Sequence, residues 1–170
     1  LPWDQFLELL HRYEITLLVD IRRFPGSRHA PQFGQDVMSA ALTTEGIEYL
    51  HLSELGGRRR ARPDSLNTTW RNASFRGYAD YMETEEFRDG LDRLMTLAQT
   101  QRVAIMCAES VWWRCHRSMV SDALLAQGWR VLHIMSDGKL QLHHFTEPAR
   151  LVNGELTYHH EGPMSRVAEE

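Results

Sequence analysis

Ile15-Thr16-Leu17-Leu18-Val19-Asp20-Ile21 is a nearly continuous apolar and β-branched run. A strand wet on one face alternates polar with apolar residues, whereas a strand covered on both faces reads like this one. The run therefore predicts the central strand of a parallel sheet. Upstream, Trp3, Phe6, Leu7 and Leu10 recur at helical spacing, so residues 3–13 read as an amphipathic helix. Downstream, residues 22–31 form a loop punctuated by Pro25, Gly26 and Pro31, and a helix over 35–45 stops at Gly46. Residues 47–52 and 102–107 read as further strands, and 113–127 as a helix closed by Gly128. Between them, 53–76 is a long irregular stretch, followed by a helical region from Tyr78. Its stronger half begins at Thr84, with Phe87, Leu91, Leu94 and Ala98 as the buried stripe. Residues 130–135 are another strand, and short extended pieces near Leu140 and Leu156 read as a hairpin or edge addition. Alternating strands and helices with buried strands predict an α/β protein, a single three-layer Rossmann-like domain with a mainly parallel sheet. Such a fold normally has a strand before its opening helix, so a first strand is expected to be missing from this chain. The expected domain spans 1–170, with a core over 1–160 and a flexible tail over 161–170.

The composition is that of a globular protein, with 42% hydrophobic and 25% charged residues in a chain of 170. No apolar run approaches the ~20 residues of a membrane span. Two cysteines make no disulfide framework, and reduced thiols in the cytoplasm are expected. The net charge of −4 conceals a basic segment, because residues 22–76 hold nine arginines against five acids. All basic residues but Lys139 are arginine, whose planar fork suits phosphates and carboxylates. Overall acidity weighs against non-specific wrapping of duplex DNA, which needs a broad basic face, and leaves room for a local anion pocket.

Three loops leave the carboxyl ends of the expected strands, where open α/β sheets bind ligands. They carry Asp20, Arg22 and Arg28, then Gly56, Gly57 and Arg58, then Glu109, Cys115, His116 and Arg117, the last loop following Cys107 at the strand end. Asp20 lies within an apolar run, and a carboxylate buried there needs an arginine or a loop cap as partner. Gly56-Gly57 ahead of Arg58-Arg59-Arg60 looks like a phosphate cradle, although neither established glycine-rich phosphate motif is present. Cys107 to Arg114 is Cys-x6-Arg, one residue longer than the phosphatase Cys-x5-Arg loop. Cys115 is in line with Met119 and Ala123 and reads as core. His116 is the acid–base candidate by residue type and Glu109 a second, with Cys107 a lesser candidate nucleophile. The Cys-x7-Cys spacing is not that of a zinc knuckle, and the pairs His143-His144 and His159-His160 alternate faces when extended. Neither a metal nor a cofactor is expected.

Four motifs together resemble one family. They are Asp20-x-Arg22, Pro25-x-Ser27-Arg28-x-x-Pro31-x-Phe33, Leu55-Gly56-Gly57 and Cys107-x-Glu109-x5-Cys115-His116-Arg117. The chain is similar through them to the bacterial and archaeal "domain of unknown function 488" family, over residues 3–158. The resemblance implies an α/β fold with its site at these motifs. It also implies an initial strand with a Thr-Ile-Gly-His type sequence ahead of the first helix.

The expected function is an enzyme with an anion-binding pocket acting on a nucleotide, a nucleic-acid end or another phosphorylated molecule. Arg22, Arg28 and Arg117 would hold the anion, while Glu109 and His116 exchange protons. The alternatives are a non-catalytic nucleotide- or nucleic-acid-binding module using Arg58–Arg62, Trp70, Arg71 and Phe75, or a protein-interaction adaptor anchored by Trp112-Trp113.

Overall fold

A computed structural model describes residues 1–26, 30–109 and 111–160. Arg28 and the tail over 161–170 lie outside the described residues. Helix α1 (Trp3–Arg12) leads into strand β1 (Leu17–Asp20), then α2 (Gln35–Thr44) and β2 (Glu48–His51). Helices α3 (Ala73–Tyr81) and α4 (Glu85–Ala98) precede β3 (Val103–Met106), and α5 (Arg117–Ala126) follows it. Four short strands end the described chain: β4 (Leu132–Ile134), β5 (Leu140–Leu142), β6 (Arg150–Val152) and β7 (Glu155–Thr157).

The first three strands form one parallel sheet in the order β2-β1-β3. β1 is the central strand, and all four of its residues are buried. Its side chains alternate between two cores, as the two-residue period of a strand requires. Leu17, Val19 and Ile21 pack with Tyr78, Phe87, Leu91, Leu94, Met119 and Val120, which come from α3, α4 and α5. Leu18 packs with Leu10 of α1 and with Met38 and Leu42 of α2. The sheet thus carries helices on both faces, and the continuous apolar run is explained by two cores instead of one. Each fully buried leucine or isoleucine here contributes about 1.5–3 kcal/mol relative to leaving it exposed.

Local chemistry sets the element ends. Asn72 caps α3 by accepting from the amides of Ser74 and Phe75, so this helix starts earlier than the expected Tyr78. Thr84 caps α4 by accepting from the Phe87 amide, with Glu85 and Glu86 in the first turn. The helix expected from Trp113 is interrupted: a 3₁₀ turn covers Trp112–Arg114, and α5 begins only at Arg117. Cys115 is extended between them. β4 does not extend the parallel sheet. It pairs antiparallel with β5 around a turn at Gly138, while β6 and β7 form a second hairpin. The Asn153-Gly154 turn of that hairpin has positive φ at both residues, which matches the twist of the flanking strands.

The irregular stretch over 53–76 is held by the acidic residues Asp80 and Glu83. Asp80 accepts from the Arg62 amide (2.8 Å), Ser65 Oγ (2.6 Å) and Asn67 Nδ2 (2.7 Å). Burial opposes its charge, yet these donors more than offset that and lower its pKa. Glu83 receives Asn67, Arg62 and His159. Among the described residues no helix is long and apolar enough to cross a membrane.

Candidate functional site

The parallel register levels the ends of the three strands, pairing Asp20 with His51 on one side and with Met106 on the other. The loops leaving them are tied together. The Leu52 amide donates to the Asp20 carbonyl, the Ile21 amide donates to the Met106 carbonyl, and His51 Nε2 lies 2.6 Å from the Arg22 carbonyl. From β1 the chain moves to β2 on one side, and from β2 it crosses to β3 on the other side. The crevice between β1 and β3 is therefore a topological switch point, where α/β sheets hold ligands.

A cleft of about 1070 Å³ opens on that side and runs along β3. No strand pairs with the outer edge of β3 among the described residues. Toward the amino-terminal end of β3 the cleft is lined by the apolar Phe6, Leu10, Ile15 and Leu18 and by the polar Gln99, Gln101 and Arg102. At the carboxyl end of β3, Arg22, Cys107, Glu109, Trp112, Arg117 and His133 line it. Five residues singled out in the sequence thus share this space: Arg22, Cys107, Glu109, Trp112 and Arg117.

Arg22 is held from behind. Its Nε donates to Asp20 Oδ1 at 2.9 Å and its Nη2 to Asp20 Oδ2 at 2.7 Å, a two-pronged pair in which Asp20 is fully buried. The Arg22 amide and the Tyr49 hydroxyl also donate to the same carboxylate. Burial disfavours the Arg22 charge, but Asp20 outweighs it and raises the Arg22 pKa. Asp20 is thereby a partner of Arg22 and does not line the cleft.

Both thiols are buried and free, and the two influence each other's pKa. Cys115 sits in the core and receives the Arg117 amide on its sulfur at 3.3 Å. Cys107 donates to the Glu109 carbonyl at 3.5 Å. The neighbouring Cys115, reinforced by the Arg117 charge, pulls the Cys107 pKa down against the opposing effect of burial. The Cys115 pKa is raised correspondingly.

The remaining sequence candidates lie on the other side of β1. His116 Nε2 is 2.8 Å from the Ile21 carbonyl, and the ring packs on Tyr78 with centroids 4.9 Å apart. Burial, aided by the charges of Arg117 and Arg59, drops its pKa to about 4, so it is neutral at physiological pH. Gly57 faces this ring, and a Cβ there would lie 2.7 Å from His116 Nδ1. A Cβ at Gly56 would lie 2.7 Å from the Arg23 Cα. These glycines let two loops touch. Arg58 has positive φ; its carbonyl receives Arg23 Nη1, and its guanidinium lies 5.9 Å from the Phe24 ring. Arg59 binds the Gly56 and Ser53 carbonyls and stacks 3.7 Å over Tyr81. Trp70 packs against Phe75 and Tyr158. None of Gly56, Gly57, Arg58 and His116 lines the cleft.

One chain of groups at the cleft was not singled out in the sequence. Asp122 of α5 accepts His143 Nε2 at 2.8 Å, and His143 Nδ1 lies 2.8 Å from His133 Nε2. The sequence signal was Asp122 itself, an acid flanked by Met119, Val120 and Ala123 on a buried helix face. Among the described residues no group of three or more His, Cys, Asp or Glu is placed to hold a metal ion.

The α/β architecture and a polar cleft end at the switch point define a protein with one candidate ligand site beside β3. The chain belongs to the family "domain of unknown function DUF488", whose model matches residues 2–124. That span covers β1, β2, β3 and most of α5, and so every described residue of the motif set. No curated protein and no solved structure matches the chain.

Proposed function

We propose that the protein is an enzyme whose cleft end binds a phosphate-bearing anion, on a nucleotide, a nucleic-acid end or a phosphorylated small molecule. The observation that carries this reading is the meeting of Arg22, Arg117, Cys107 and Glu109 on one open cleft at the β1–β3 switch point. Arg22, held in place by Asp20, and Arg117 bring two guanidinium groups to this end of the cleft, and the planar fork of each suits a phosphate. Arg117 is also close enough to depress the pKa of Cys107 and His133. The lowered pKa of Cys107 favours its thiolate, the reactive form of a cysteine nucleophile. Glu109 is the adjacent carboxylate that exchanges protons. His116 fixes the loops behind the site. The sheet then acts as a Rossmann-like scaffold, with its ligand at the strand carboxyl ends. Cys107 needs to stay reduced in this scheme, which fits a cytoplasmic location.

The test is a thermal-shift screen with inorganic phosphate and nucleoside mono-, di- and triphosphates, followed by turnover assays on whichever compounds bind. At least one phosphate compound should raise the Tm. Cys107→Ser and Glu109→Gln should then lower kcat with little effect on binding. Failure of every phosphate compound to stabilise the fold overturns the reading. Binding with turnover unchanged in both variants would leave a cleft without the proposed chemistry.

A further inference from the structure

Asp122, His143 and His133 form a buried line from α5 to the cleft. Asp122 and His143 are 0% and 1% exposed, and His133 is 6% exposed. Asp122 is a saturated acceptor: besides His143 it takes the Thr146 amide at 3.0 Å, the Thr146 hydroxyl and the Tyr158 hydroxyl at 2.7 Å. A carboxylate that accepts on all sides requires a proton on His143 Nε2. A neutral His143 then has a bare Nδ1, which can only accept, so the contact at 2.8 Å requires a proton on His133 Nε2. With His143 neutral, the line of hydrogen bonds has one direction, and it ends on a bare His133 Nδ1. That nitrogen has no partner among the described residues, and the His133 ring lines the cleft. The ring is further fixed by Trp112, stacked on it at 4.3 Å with an interplanar angle of 4°. Trp112 is anchored in turn by donating to Gln141, the cross-strand partner of His133.

We infer that His133 is a recognition residue of the cleft, its Nδ1 accepting a hydrogen bond from an O–H or N–H of the bound molecule. Asp122 and His143 are positioning residues that set its tautomer. This rests on the reading of the cleft as an anion site and narrows it. A ligand engaging both ends carries a phosphate for Arg117 and a hydrogen-bond donor on an attached organic part. A nucleoside phosphate meets both requirements, and inorganic phosphate meets only the first. A histidine chosen for its charge would be poorly placed here. Burial, together with the charge of Arg117, pushes its pKa down to about 3, so the ring works as a neutral acceptor.

Two measurements test the inference. Side-chain ¹⁵N spectra of the free protein should show His133 in the Nε2–H tautomer, with Nδ1 unprotonated. Titration with a nucleoside monophosphate should then move the Nδ1 resonance, and titration with inorganic phosphate should move it far less. Asp122→Asn keeps the size of the side chain but can present an N–H to His143, which reverses the direction of the line. A folded Asp122→Asn protein should bind the nucleoside monophosphate about ten-fold more weakly, the worth of one hydrogen bond, and inorganic phosphate unchanged. An Nδ1–H tautomer in the free protein overturns the inference whatever the fate of the variant. So does nucleotide binding that leaves the His133 resonance and the Asp122→Asn affinity unmoved, although the anion site then stands. Absence of binding by either compound overturns both.

Discussion

The two sides of β1 make opposite use of similar residues. Toward β2, arginines, glycines and a histidine are consumed in holding loops together: Gly57 fits under His116, and Arg23 and Arg59 bind backbone carbonyls. Toward β3, arginines, a cysteine and a carboxylate border open space. Both sides lie at the carboxyl ends of parallel strands. Position at a strand end is therefore not what makes a site. The difference is whether the neighbouring element closes over the polar groups, and beside β2 the stretch over 53–76 does so.

The largest effect is expected beneath both sides. Asp20→Ala leaves the buried Arg22 charge without its carboxylate and should cost about 3–5 kcal/mol in a urea unfolding experiment. A cost below ~1 kcal/mol would mean that Arg22 is free to swing into the cleft, and the comparison would lose its common support. Gly57→Ala tests the packed side alone. The added methyl meets His116, so stability should fall by about 1–3 kcal/mol while any phosphate-induced rise in Tm stays the same size. Loss of the ligand effect in a folded Gly57→Ala protein would show that the glycine loop serves an anion after all.

Acid titration gives a smaller and more gradual effect. The folded pKa of His116 lies near 4 and that of His133 near 3, both below the ordinary histidine value of about 6.5. Between those limits the unfolded chain binds protons that the folded one refuses. The histidine contribution is fully present above about 6.5 and is lost as the pH falls toward 4 and then 3. Urea midpoints measured from pH 7 downward should decline, and His116→Asn should flatten the upper part of that decline. The most delicate contrast is in Cys107. Its alkylation by iodoacetamide, followed by mass spectrometry, should rise with a midpoint below the ~8.5 of an ordinary thiol. Arg117→Ala should move that midpoint upward. An ordinary midpoint in the wild type would detach Cys107 from the charge of Arg117.

The fold was largely legible because the run from Ile15 to Ile21 is apolar on both faces, and only two cores explain that. The caps at Thr84 and the stops at Gly46 and Gly128 were equally local. The pairing of β4 with β5 was not, since three-residue strands carry too little pattern to reveal a partner. At the site, residue type located the cleft through Cys107, Glu109 and Arg117 but could not separate them from His116. That separation depends on Gly57 and Tyr78, distant in sequence, closing over one ring. His143 was hidden for a related reason. Its pairing with His144 on an extended segment suggested opposite faces, while its real partners, Asp122 and His133, come from α5 and the adjoining strand.

The central claim is that the anion site is on the β3 side. Isothermal titration with a nucleoside monophosphate on the wild type, Arg117→Ala and Arg58→Ala tests it most directly. The account predicts that Arg117→Ala weakens binding by about ten-fold or more, as loss of a charge-assisted contact should, and that Arg58→Ala leaves it unchanged. Binding that survives Arg117→Ala and disappears in Arg58→Ala would contradict it.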